Sequence, residues 1–240
     1  MSLYPHDIIN GIFGVIALCV SFFIAIRIIL KGFELRNRDF ILVGIAGLIV
    51  SEPFWGSIFS FILEISSGIA LTIEMQNLIN FPLVPLGLFS WLVAFTDLVY
   101  KKRQKIIIEL FIIYGIIYEI VFFVVFANDP SLEGTFYGIK SRVIPTIFLV
   151  SFLIIILISV VSFVRESLQS AHPEIKMKGK LLVVAMIFYS IAALLETIVL
   201  VFSISTIFQM IGRTFLILSA ISFLWGFFLP EWIKKRLIEE

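Results

Sequence analysis

Residues 106–127 read IIIELFIIYGIIYEIVFFVVFA, a run broken only by Glu109 and Glu119. Before it stand Lys101, Lys102, Arg103 and Lys105, and after it the turn Asn128-Asp129-Pro130. A hydrocarbon core about 30 Å thick is crossed by ~20 apolar residues of helix. Inside lipid every backbone group needs a partner within its own segment, which a helix supplies. Nothing here alternates with the ten-residue polar and apolar period of a membrane barrel. The stretch is therefore read as one transmembrane helix.

Six more stretches share this character, giving seven at roughly 8–30, 40–63, 77–100, 106–127, 143–164, 181–203 and 207–229. Each is 22 to 24 residues long, enough to span with some tilt. The first lacks a basic leader and a cleavage site, so it is expected to be a mature helix and not a signal peptide. The chain has 240 residues, of which 60% are hydrophobic and 15% charged, against about 45–50% and 25% in soluble domains. Those figures exclude a soluble enzyme core, a disordered chain and a disulfide scaffold. Residues 1–240 are expected to form a single all-α membrane domain, a seven-transmembrane helix bundle. The lone Cys19 is expected to be a small buried hydrophobe.

The net charge of +1 hides an asymmetry. Of 18 basic residues, 15 lie in the first, third and fifth connections and in the tail with Lys234, Lys235 and Arg236. The other side holds Lys140 and Arg142, and Arg213 lies within the last crossing. The positive-inside rule then predicts an outside amino terminus and a cytoplasmic carboxyl terminus. A multi-pass protein of the plasma membrane is expected, in contact with membrane lipids and with no nucleic acid as partner. Short loops predict antiparallel neighbours, with a turn near Ser203 to Thr206 between the last two crossings. Trp91, Trp225, Trp232 and Tyr100 are expected towards helix ends or the inner interface.

Ionisable groups inside a membrane are costly and usually face the bundle interior with a partner. Glu52, Glu119, Glu196 and Arg213 sit roughly 18 to 26 Å above the cytoplasmic helix ends and share one layer. Glu196 and Arg213 are equally far from the expected turn, so a structural ion pair is predicted between them. Glu52 precedes Pro53, which kinks a helix, with Trp55 close by. Glu119 follows Tyr114 and Tyr118, whose hydroxyls are placed to satisfy it. The functional expectation is an outward-facing polar pocket between crossings 2, 3, 4, 6 and 7, with ligand-binding residues Glu52, Trp55, Asn77, Tyr118, Glu119, Glu196 and Arg213. The competing expectation is a purely structural polar network. Asp97 and Glu109 are expected in interface ion pairs with Lys101 and Lys105. Gly44, Gly47, Gly56 and Ala192-Ala193 are expected where helices pack closely.

Several chemistries are disfavoured. The topology is rhodopsin-like, but Met210 to Ala220 contains no lysine for a retinal Schiff base, and no other crossing supplies one. His6 and His172 both lie outside the expected hydrocarbon, against haem ligation or an intramembrane zinc hydrolase. There is no Pro-Gln dipeptide, phosphate loop or nucleophile elbow. No catalytic residue, metal or cofactor is expected, and the chain is not expected to be an enzyme.

Residues 81–100 (FPLVPLGLFSWLVAFTDLVY), followed by a basic loop, and the outer turn Asn128-Asp129-Pro130 resemble a known family. Over roughly 81–134 they are similar to the seven-transmembrane sensor region of prokaryotic histidine kinases. The resemblance implies a ligand-sensing input region with an outside amino terminus. No kinase module follows Pro230 in this sequence, so output is expected to pass through a separate cytoplasmic or membrane signalling partner. The leading expectation is a receptor-like sensor for a small or lipid-like ligand. The alternatives are a small proton-coupled transporter using buried carboxylates, then a non-catalytic membrane assembly subunit.

Overall fold

The computed structural model describes residues 5–202 and 206–239, with side chains at all of these but 6, 197, 200–202, 206 and 236–239. The turn expected near Ser203 to Thr206 falls outside the described residues, as do the side chains of His6 and Arg236. The described residues form ten α-helices: α1 (Pro5–Leu35), α2 (Arg38–Ile49), α3 (Trp55–Ser67), α4 (Ile73–Asn80), α5 (Val84–Leu98), α6 (Gln104–Asn128), α7 (Val143–Gln169), α8 (Pro173–Phe202), α9 (Thr206–Phe227) and α10 (Glu231–Glu239). Among the described residues seven helical spans are long and apolar enough to cross a membrane. By length and composition the chain is an all-α bundle of the kind that suits a multi-pass membrane protein.

Two crossings are each built from two helices. The second joins α2 to α3 through a 3₁₀ turn at Glu52–Phe54, and the third joins α4 to α5 across Phe81 to Leu83. Pro53 and Pro82 stand at these breaks, where each withholds a backbone N–H from the helical ladder. The ends are capped by local chemistry. Asn37 Oδ1 accepts the N–H of Asp39 at the start of α2. Thr72 does the same for Met75 at the start of α4. Gly68, at φ +74°, closes α3 in the left-handed conformation that a glycine adopts without strain.

The crossings close into a ring: α1 packs on α2, α2 on α5, α5 on α7, α7 on α8, α8 on α9, and α9 back on α1. Trp91 pins the third crossing to the fifth through Nε1, which donates to Ser159 Oγ at 2.6 Å. Trp91 thus sits inside the bundle and not at the interface expected from sequence, because its indole N–H needs a partner that Ser159 supplies. The fourth crossing, α6, lies outside this ring against α5 and α7. Its outer face carries Ile106, Leu110, Ile113, Ile117 and Ile120, all exposed at alternating helical spacings of four and three. A continuous apolar stripe of that length is untenable in water and ordinary in lipid. Cys19 is exposed on α1, contrary to the buried place expected for it. The side of α1 that carries it faces away from the ring, and lipid suits a thiol as well as a core does.

Interface chemistry at the basic ends follows the sequence in part. Lys105 pairs with Glu109 at 3.9 Å, as expected. Asp97 pairs with Arg38 instead of a lysine of its own loop, joining α5 to α2. Among the expected close-packing glycines, Gly44 and Gly56 fit. A Cβ on Gly44 would stand 2.9 Å from Ala25 O, and one on Gly56 2.6 Å from Gln76 O. Gly47 does not fit, since a Cβ there would meet nothing nearer than Phe223 at 3.8 Å.

An antiparallel hairpin interrupts the all-helical pattern after α6. Its strands β1 (Thr135–Phe136) and β2 (Ile139–Lys140) turn at Tyr137 and Gly138, both at positive φ as a type I′ turn requires. Asp129 organises the approach, accepting from Ser131 Oγ and from the N–H of Gly134, each at 2.8 Å. The nearby Ser141 hydroxyl first, and then Ser131 and the N–H groups of Gly134 and Leu132, hold its carboxyl below the ordinary carboxylate range, against the opposing effect of burial. A lowered carboxylate stabilises the fold above its unfolded pKa and loses that contribution as pH falls through the folded value. The hairpin is therefore expected to hold at neutral pH and loosen below about pH 4. Amide exchange at Gly134 is the measurement. Asp129→Asn should remove its acid dependence, and an unchanged profile in that variant would assign the loosening to other groups.

Candidate functional site

The two broken crossings meet. Glu52, with none of its surface exposed, accepts the backbone N–H of Leu83 on Oε1 at 2.7 Å. Leu83 N–H is an orphan of the break in the third crossing, so a side chain of the second crossing completes it. Tyr118 of α6 donates its hydroxyl to Phe81 O at 2.9 Å, satisfying a carbonyl at the same break. On the other side Ser51 Oγ donates to Leu48 O, Trp55 Nε1 donates to Ser51 Oγ at 3.0 Å, and Tyr189 of α8 donates to Val50 O at 3.1 Å. The halves formed by α3 and α4 are also clamped together: Gly56 N–H donates to Asn80 Oδ1 at 2.6 Å. Asn77 Nδ2 donates to the carbonyls of Pro130 and Ser131, tying α4 to the loop after α6.

Arg213 builds a second polar group on the far side of the ring. It is 3% exposed, and its guanidinium donates to Asn10 O on α1 and to Ser57 Oγ on α3, the latter at 3.3 Å. Gly14, one turn beyond Asn10, makes room: a Cβ there would stand 2.6 Å from Arg213 Nη1. Asn10 Nδ2 in turn donates to Gln209 Oε1 at 2.7 Å, so the first and last crossings share this group. Glu196 is 7% exposed and lies near enough for its charge to be felt at Arg213. The direct ion pair expected between them is not among the ion pairs formed by the described residues. The guanidinium is held instead by α1 and α3, and among the described residues neither Arg213 Nε nor Glu196 Oε2 has a hydrogen-bond partner.

Between these groups lies a cavity of about 150 Å³. All six crossings of the ring contribute to its wall and α6 does not, so the pocket is bounded differently from the one expected between crossings 2, 3, 4, 6 and 7. The break in the second crossing enters it directly, through Ser51, Pro53 and Phe54. Gly47, Trp91, Tyr189 and Ser219 line it, and Glu196 is its acidic residue. Of the seven residues expected to bind a ligand, Glu196 faces this cavity. Glu52, Trp55 and Tyr118 stand outside its lining, bonded to the breaks, and Asn77 stands outside it too, bonded to Pro130 and Ser131. Glu119 is half-buried on α6, close enough to influence Glu52 electrostatically. The tyrosine hydroxyls expected to satisfy it go elsewhere, Tyr118 to Phe81 and Tyr114 to Ser151. Arg213 stands outside the lining.

Sequence reasoning missed Gly47, Trp91, Tyr189 and Ser219 as wall residues. Tyr189 carried a signal in retrospect, since a phenol hydroxyl inside a membrane span needs an acceptor, and Pro53 frees carbonyls on the neighbouring helix. Among the described residues no three His, Cys, Asp or Glu side chains gather as metal ligands. Compared with protein-family profiles, with curated proteins and with solved structures, the chain matches none.

Proposed function

We propose that this is a receptor-like seven-helix protein of the plasma membrane that takes a small apolar or lipid-like ligand in its central cavity. It binds and does not catalyse, and it passes the binding event to a cytoplasmic or membrane partner through its basic loops. The amino terminus is outside and the arrangement is rhodopsin-like without a retinal lysine, following the distribution of basic residues. The observation that carries this reading is a cavity walled by six crossings and entered by a helix break. Apolar pockets between helices with a few placed polar groups are the usual form of a small-molecule site. A ligand against Ser51 and Pro53 presses on the weakest point of the second crossing, which offers two states for it to discriminate. The likeness of residues 81–134 to the sensor region of histidine kinases points the same way.

Gly47→Phe tests the reading. Gly47 lines the cavity, and a Cβ there meets only the Phe223 side chain, at 3.8 Å, so a larger side chain is expected to occupy the cavity. Native mass spectrometry of the wild type, purified from membranes in mild detergent, is expected to show a bound small apolar molecule that Gly47→Phe excludes. A spectroscopic label at Ser170, on the inner loop, should report different environments in the two. Identical spectra, with no bound species in either, would overturn the proposal.

A carrier is the second reading, favoured by the mating of two broken crossings at one depth, a device transporters use at their binding sites. Uptake into proteoliposomes that depends on Glu52 would favour it.

A further inference from the structure

Granted that the cavity is a ligand site, its wall restricts what the ligand is. The size of the space is the first restriction. A cavity of about 150 Å³ is below the usual ~300–1,000 Å³ of drug-sized pockets, and an engineered cavity of that volume admits benzene. The apolar body is one ring or a short branched chain.

The second restriction is the direction of the available hydrogen bonds. Four polar side chains of the wall already commit their protons to the protein. Ser51 Oγ donates to Leu48 O, Tyr189 to Val50 O, Ser219 Oγ to Ala185 O, and Trp91 Nε1 to Ser159 Oγ. Ser21 aside, the wall therefore presents acceptors. Its strongest acceptor is Glu196, 7% exposed, whose Oε2 has no partner among the described residues. Arg213 offers no compensating donor into the space, being outside the lining and turned to Asn10 and Ser57. A buried acceptor left without a donor is unfavourable, so a ligand that supplies one gains where a hydrocarbon does not. A carboxylate or phosphate head brings more acceptors and a like charge into the same place.

We infer that the cavity selects a ring-sized apolar molecule carrying a single hydrogen-bond donor head, an amine or an alcohol, which meets Glu196, and that it rejects anionic heads. Four probes on one ring test this: toluene, benzyl alcohol, benzylamine and benzoate. Each is titrated by ligand-observed NMR onto the full chain in nanodiscs, with Gly47→Phe as the blank for partition into lipid. A hydrogen bond to a charged group corresponds to roughly ten- to hundredfold in affinity. Benzylamine and benzyl alcohol are accordingly expected to bind at least about tenfold tighter than toluene, with benzoate the weakest. Glu196→Gln should remove the advantage of benzylamine over toluene and leave toluene unchanged. The ranking in the unaltered protein stands as a test even where that variant fails to fold. Four equal affinities, or a preference for benzoate, would overturn the donor-head inference and leave a binding cavity in place. No binding above the Gly47→Phe blank by any probe would overturn the cavity reading as well.

Discussion

Arg213→Met is expected to destabilise the bundle by about 3 kcal/mol, the order of what losing a buried charged donor to two acceptors costs. The side chain is 3% exposed and holds two partners on two other crossings, Asn10 O and Ser57 Oγ. Methionine replaces the aliphatic stem and removes the guanidinium, so the larger part of the loss is electrostatic. Asn10 O and Ser57 Oγ lose a charged donor, each such bond contributing roughly 1.5–3 kcal/mol before the helix and nearby water compensate. Glu196 loses the one cation whose charge it feels, in a low dielectric where such attractions reach further than in water. The measurement is reversible unfolding in mixed micelles, followed by circular dichroism. Glu196→Gln should relieve part of the damage when combined with Arg213→Met, leaving the double variant at least about 0.5 kcal/mol more stable than additivity allows. Strict additivity would show that Arg213 acts through Asn10 and Ser57 alone.

That pairing also shows what could be read from the sequence and what could not. The seven spans were legible because each apolar run is continuous and bounded by charge, so length alone identifies them. The special status of Glu52, Glu119, Glu196 and Arg213 was legible too, since any ionisable group at such depth must be accounted for. Their partners were not. Glu196 was the natural candidate for Arg213 within one hairpin, whereas α9 closes against α1 and a guanidinium reaches over Gly14 to Asn10. Ring closure between the first and last crossings leaves no local trace in the chain. Pro53 announced a break in the second crossing, but the partner that Glu52 finds in the third is a backbone N–H, which every residue but proline carries. Whether α6 lies inside or outside the ring depends on the contact of Trp91 with Ser159, 68 positions apart. The cavity could not be anticipated until that contact was known.

Glu52→Leu is expected to cost about 1–3 kcal/mol, the desolvation penalty of the Leu83 N–H left without its acceptor. Nothing else is placed to replace it, since Glu52 itself has no exposed surface through which water would enter. The loss should be local first. Amide exchange at Leu83 and at Val84, Leu86 and Gly87 in the first turn of α5 should rise before the rest of the bundle responds. Glu52→Gln is the decisive companion. Its side-chain carbonyl can still accept the Leu83 N–H, so stability and exchange should stay near the wild type, while the ability to take and release a proton is gone. The two substitutions thus separate the roles that one carboxyl can combine. If Gln restores the fold and ligand binding at the cavity is intact, Glu52 is a brace behind the wall and the receptor reading gains. If Gln restores the fold but proteoliposome uptake is lost, the proton and not the hydrogen bond is what the position requires, and the mated breaks belong to a carrier. A glutamate whose Oε2 remains unpartnered beside an occupied Oε1 has the chemistry for either role, which is why the fold and the proton must be measured apart.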